Sequence, residues 1–175
     1  GRRHGKVSVI IMASDVQVEP IVLHVARMPS TRLFFENLNN LLRREDVAFT
    51  GRCIASDFTK LRGDYQDHEF KVARVIDCGT MAVHRGVAKR LLGRTTLQAL
   101  ARKSLGSYVP KPAHIRVGDV FDDQENACEL DREAREYCAR DGEAGLRLYH
   151  LYRTMPDLTI RAHANDLRPG MRVDI

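Results

Sequence analysis

A chain of 175 residues, 43% of them apolar, carries enough hydrophobic side chains for one ordinary core and is of single-domain size. Twenty-eight basic residues against 23 acidic ones leave a formal charge of +5, which favours polyanionic partners. The four cysteines, Cys53, Cys78, Cys128 and Cys138, form no C-x-x-C pair and no zinc-ligand spacing with histidine. That excludes a disulfide scaffold and a zinc-ribbon module, and it fits a reduced intracellular protein, nuclear or cytoplasmic. The longest apolar run, Val7 to Ala13, falls well short of the roughly 20 residues that cross a bilayer, and no secretion signal is read, so no membrane partner is expected.

In chain order, Val7–Ala13 is β-branched and almost continuously apolar, which predicts a strand buried on both faces of a sheet. A short polar connection leads to a second strand at Ile21–Ala26. Ser30 or Thr31 then caps a helix with Leu33, Phe34, Leu38, Leu41 and Leu42 at helical spacing. A third strand is predicted at Val47–Ile54, followed by a short helix that Ser56 and Asp57 cap and that carries Phe58, Leu61 and Tyr65. A fourth strand spans Val72–Asp77, and helices follow at Thr80–Leu92, Thr95–Leu105 and about Asp131–Tyr152. Alternation of strands with helices predicts a layered α/β domain with a mixed sheet over residues 1–155. Beyond Pro156, Leu158–Ala162 and Met171–Ile175 read as short strands around Pro169-Gly170, so residues 156–175 form a linker or the start of a further module.

Two places carry chemistry. Tyr137 and Asp141 lie four apart on the last helix, so they project from one face with Cβ atoms about 5–6 Å apart. The carboxylate can hold a divalent cation while the phenol orients a water, or the Tyr is simply core and the Asp exposed. Asp57 stands where a strand runs into a helix; there it serves as a cap, as a cation ligand through its second oxygen, or as both.

The order of these segments resembles the DEDD 3′–5′ exonucleases of the DnaQ-like, ribonuclease H-like superfamily, nearest the branch that includes the Werner-syndrome and exosome-associated exonucleases. Gly51, Asp57 and Lys60-Leu61 match the second motif of that family, and Tyr137-Cys-Ala-Arg-Asp141-Gly, with Leu148-Tyr149, matches the third. Leu91-Leu-Gly93 and Leu97–Gly106 resemble its paired helices. The resemblance spans about Val7 to Tyr152 and, because Tyr137 stands four before Asp141, implies the Tyr subclass. It implies two-metal hydrolysis of nucleic-acid phosphodiesters with Mg²⁺ or Mn²⁺, Asp57 and Asp141 as metal ligands, and Tyr137 as the catalytic phenol. Lys60, Arg94, Lys103 and Lys111 are the basic candidates for contacts to a DNA or RNA 3′ end. Read from composition alone, the cluster Lys89-Arg90, Arg94 and Arg102-Lys103 is equally a solvated helix face, and Lys111 an ordinary solvated lysine.

One part of the pattern has no counterpart. The family begins with a strand bearing Asp-x-Glu, whereas only Arg2, Arg3, His4 and Lys6 stand with two glycines before Val7. Asp15 follows the first strand and reads as a turn residue. Two carboxylates are then present where two cations about 3.5–4 Å apart call for four. The expectation is a domain that is N-terminally incomplete, lacks its central strand, binds metal weakly and is inactive in this form. The alternatives are a natural protein without that strand, retained as a nucleic-acid-binding or protein-interaction module, and another ribonuclease H-like group such as a transposon-related nuclease. His24, His84, His114 and His150 show no ligand spacing and read as surface or core residues.

Overall fold

The computed structural model describes residues 7–17, 19–28, 30–89, 95–107, 111 and 130–159. Its elements follow the expected order: β1 (Val9–Met12), β2 (Ile21–His24), a 3₁₀ turn (Val25–Arg27), α1 (Arg32–Leu42), β3 (Phe49–Gly51) and α2 (Ile54–Asp64). They continue with β4 (Val75–Asp77), α3 (Cys78–His84), α4 (Leu97–Leu105) and α5 (Arg132–Thr154). The protein is thus α/β, with helices packed on small sheets of mixed direction. Strands β1 and β2 are antiparallel, with Val9 opposite His24 and Met12 opposite Ile21. Strands β3 and β4 are parallel, with Phe49 opposite Val75 and Gly51 opposite Asp77.

Among the described residues no strand joins the two ladders, so the expected mixed sheet is present as two pairs. Helix α5 packs against β1, β2 and β3 as well as α3 and α4, and so ties the pairs together. The strands are shorter than predicted, and no residue of β1 is fully buried. A two-stranded ladder lacks the neighbours on each side that would bury a central strand on both faces.

Two cores form. In the first, Val25, Phe35, Leu38, Leu42, Leu61 and Phe70 bring α1 and α2 against β1 and β3. In the second, Cys78, Ala82, Leu100, Leu148 and Tyr152 join α3, α4 and α5. The buried stripe of α1 is Phe35, Leu38 and Leu42, while Leu33, expected inside, is 68% exposed. Thr31 does precede α1, but its backbone is already helical and its side chain makes no cap bond.

The other helix starts follow ordinary capping. Thr96 Oγ1 accepts from Ala99 N at 3.1 Å, and Asp131 Oδ1 accepts from Ala134 N at 2.6 Å. Helix α3 begins earlier than predicted, at Cys78, because the Asp77 side chain caps it. It also stops earlier, at His84, with the chain turning through Gly86 at φ +69°. Leu158 and Thr159 have helical backbone where an extended segment was expected. The predicted strand at Met171–Ile175, the Leu91-Leu-Gly93 segment, Arg94 and Cys128 lie outside the described residues. No helix among the described residues is long and apolar enough to cross a membrane.

Candidate active site

The approach of α5 to β1 sets the site. A Cβ on Gly142 would lie 2.7 Å from Ile11 Cγ2 and 3.7 Å from Ala13 Cβ, so a glycine lets the helix close on the strand there. Asp141, one residue before, is thereby held at the end of β1, half-buried. Tyr137, one turn earlier, packs with Ala101, Ala144, Leu130 and Ala134.

Asp57 reaches the same place by another route. Strand β3 ends at Gly51, and the chain turns through Cys53, whose left-handed backbone (φ 60°, ψ 24°) is sparsely populated outside glycine. That conformation is held by Asp77, whose Oδ2 accepts from Cys53 N at 2.5 Å while its Oδ1 accepts from Thr80 N at 3.0 Å. Arg52 completes the lock. Its Nε donates to Thr95 O at 2.6 Å, and its Nη1 lies 3.7 Å from Asp77 Oδ1. Helix α2 therefore starts at Ile54, and Asp57 sits inside its first turn, not at the cap. Neither carboxylate oxygen of Asp57 is assigned to capping.

The electrostatics bind these parts together. Although Asp57 is an exposed residue, partial desolvation of its carboxyl pushes it up from 3.8 to about 6, and the charges of Asp141 and Asp77 push in the same direction. A helix N-terminus favours the charged form, so this desolvation and the two neighbouring carboxylates outweigh it. Asp141 is also raised by burial, and the Lys111 ammonium beside it opposes that shift. Tyr137 rises to about 12 through burial and the Asp141 charge, against a hydrogen bond from Gln98. It is therefore a neutral phenol at physiological pH. Burial and Asp141 lift the Cys138 thiol to about 11, leaving it protonated and inert as a nucleophile.

Asp57, Tyr137, Asp141 and Lys111 are thus brought together. Lys60 is instead paired with Asp64 at 2.6 Å along α2, and Lys103 donates to the Val87 carbonyl. Asp15 does lie in a turn, where Oδ1 meets His150 Nε2 at 2.5 Å. Asp77, Gln98 and Arg52 were not among the expected site residues. The pairing of Asp77 with Thr80, three apart at a helix start, is the one sequence signal that marks any of them.

Among the solved structures similar to this one are several of one exonuclease domain. The EXD2 exonuclease domain soaked in Mn matches with a TM-score of 0.38 and 16% identity, over 99% of this chain and 83% of that one. Crystals of the same domain soaked in Mn and GMP, and in Mn and dGMP, match with TM-scores of 0.38 at 18% and 17% identity. They cover 99% and 100% of this chain and 82% of each of those chains. No protein-family profile and no curated protein sequence matches the chain.

A divalent cation is a natural counterion where one carboxylate raises the proton affinity of another, as Asp141 does for Asp57. Among the described residues no group of three or more His, Cys, Asp or Glu side chains could hold one. Asp57 and Asp141 are near enough to interact electrostatically, and the Lys111 ammonium stands beside Asp141.

The same charges predict a stability gain. The carboxyl of Asp57 binds its proton more tightly folded, near 6, than at its ordinary 3.8. Its contribution to stability is thus fully present below 3.8 and is lost as pH rises through 6. Asp57→Asn, which keeps the neutral shape, is expected to stabilise the metal-free chain by about 1 kcal/mol at pH 7.5, after discounting for solvent screening of an exposed residue. Near pH 3.5 the difference should vanish. Urea unfolding at the two pH values measures this, and an equal gain at both would show that charge is not the cause.

Proposed function

We propose that this chain is a 3′–5′ exonuclease-type domain of the Tyr subclass, with nucleic-acid phosphodiesters as its substrate. Asp57 and Asp141 hold a divalent cation, Mg²⁺ or Mn²⁺, and Tyr137 orients the attacking water. The observation that carries the reading is the convergence of Asp57 from α2 with Tyr137 and Asp141 from α5 at the end of β1. Groups from separate elements meet there with raised proton affinities, as reactive carboxylates and phenols do in hydrolytic sites.

When bound, the cation would polarise the phosphodiester and offset its developing charge. The protein's own part is separable from that. Tyr137, protonated and anchored by Gln98, can donate to or accept from a water without losing its proton. Lys111 beside Asp141 offers an ammonium to a phosphate oxygen. Gly142 keeps the helix seated so that these groups face one point.

With two carboxylates sharing the site, the 175-residue chain should bind Mn²⁺ weakly and trim 3′ ends slowly. Mn²⁺ binding followed by electron paramagnetic resonance should give a dissociation constant around millimolar, on the order of −4 kcal/mol. Either Asp57→Asn or Asp141→Asn should weaken it at least tenfold. Trimming of 5′-labelled single-stranded DNA and RNA should be Mn²⁺-dependent and low. Mn²⁺ affinity untouched by both substitutions would defeat the site assignment.

A second reading, a nuclease fold kept as a nucleic-acid-binding module without turnover, is favoured by Lys111. An ammonium against Asp141 already supplies the positive charge a metal would bring. Binding of oligonucleotide without any Mn²⁺-dependent trimming would select it.

A further inference from the structure

A cleft of about 440 Å³ opens between β2 and the start of α5, lined by Val22, His24, Arg27, Leu130 and Arg135. Three of its five lining side chains are basic, and none is acidic. The arginines here are unlike their neighbours. On α5, Arg132 and Arg140 both pair with Glu136, at 2.7 and 3.3 Å. On α1, Arg32 pairs with Glu36 at 3.0 Å. Arg27 and Arg135 have no carboxylate partner among the described residues. His24 adds a buried ring nitrogen, Nε2, with no hydrogen-bond partner among the described residues. Both arginines are exposed, so water solvates their guanidiniums, and the buried His24 Nε2 is the atom at this place that gains most from a partner. An anion with several acceptor oxygens could take both guanidiniums and the imidazole at once.

We infer that this cleft binds a phosphate group of a nucleic-acid strand, with Arg27 and Arg135 as the charged contacts and His24 as a hydrogen-bond partner. The guanidinium fork suits phosphate oxygens, and the Val22 and Leu130 walls suit the apolar edge of a sugar. Burial and the Arg27 charge keep His24 below the usual imidazole range, so the ring is neutral and one nitrogen can donate. Val22 and Leu130 pack in the same cluster as Tyr137, which places the cleft beside the proposed reaction centre. Arg135 and Asp141, six residues apart on α5, are separated by about 9 Å along the helix axis. A strand seated in the cleft would pass the site instead of ending elsewhere on the surface. The choice of a nucleic-acid phosphate over a free one rests on the proposed function; the anion site does not.

The test is fluorescence anisotropy of a 5′-labelled single-stranded oligonucleotide with the full 175-residue chain in EDTA, where no metal-dependent cleavage intervenes. Arg27→Ala with Arg135→Ala should weaken binding about tenfold and flatten the salt dependence by about one in log K against log salt. Arg27→Lys with Arg135→Lys should restore most of the affinity, which separates charge from misfolding. In parallel, ring signals of His24 in ¹H–¹⁵N spectra should move on adding the unlabelled oligonucleotide. Oligonucleotide binding unchanged by the alanine pair, with His24 unmoved, overturns the cleft and leaves the proposed function standing. Movement of His24 by millimolar inorganic phosphate, without oligonucleotide binding, overturns the nucleic-acid assignment and makes the cleft a free-phosphate site. Response to neither ligand overturns both.

Discussion

Asp77→Ala should destabilise the protein by about 3 kcal/mol, more than any other single change near the site. The carboxylate caps α3 through Thr80 N and also holds Cys53 N in its left-handed turn. A lost cap costs about 1 kcal/mol, and an amide deprived of a charged acceptor costs about 1.5–3 kcal/mol. Arg52, only 10% exposed, would lose its counterion as well. The two losses are coupled because both oxygens belong to one carboxylate, so simple addition would overstate them. Asp77→Asn keeps one acceptor and should fall between the two. Denaturant unfolding of the three proteins gives the order directly. The consequence for the site is separate and measurable: without the Asp77 charge, the Asp57 carboxyl should titrate closer to its ordinary range. A loss under about 1 kcal/mol would mean that the turn at Cys53 is held by something else.

Phe35→Ala is expected to cost about 4 kcal/mol, close to half the total stability of an ordinary domain. The ring is fully buried, with its centroid 4.5 Å from Tyr65, 5.0 Å from His68 and 5.3 Å from the edge-on Phe70. Alanine would leave a cavity between α1 and the end of α2 that these rings cannot close without losing one another. The same gap would loosen β1, because Tyr65 donates to Val7 O at 2.8 Å. Leu33→Ala, two residues earlier on the exposed side of the helix, should stay within about 0.5 kcal/mol. Thermal and urea unfolding of both variants checks the contrast. Equal losses would show that α1 packs on a different face.

Element order was readable because it rests on local period. The β-branched run at Val7–Ala13 and the helical spacing of Leu38 and Leu42 are patterns that neighbouring residues complete among themselves. The Tyr137–Asp141 pair was readable for the same reason, since both lie one turn apart on a long helix. Stripe membership at α1 was less so: Phe34 and Phe35 are both apolar, and only the position of α2 and of the chain around His68 and Phe70 decides that Phe35 is the one enclosed.

What the tertiary structure alone decided are the relations between distant charges. Asp57 loses its cap position because Cys53 is turned by Asp77, 24 residues on. Lys103 is claimed by a carbonyl 16 residues back, and Lys111 is set against Asp141 across 30 positions. Arg27 and Arg135 face one cleft although 108 residues separate them. Periodicity reports which face of an element is apolar, because burial repeats with the element's own geometry. Which charge meets which depends on how elements are packed, and Coulomb energies vary with separation and burial instead of with position in the chain.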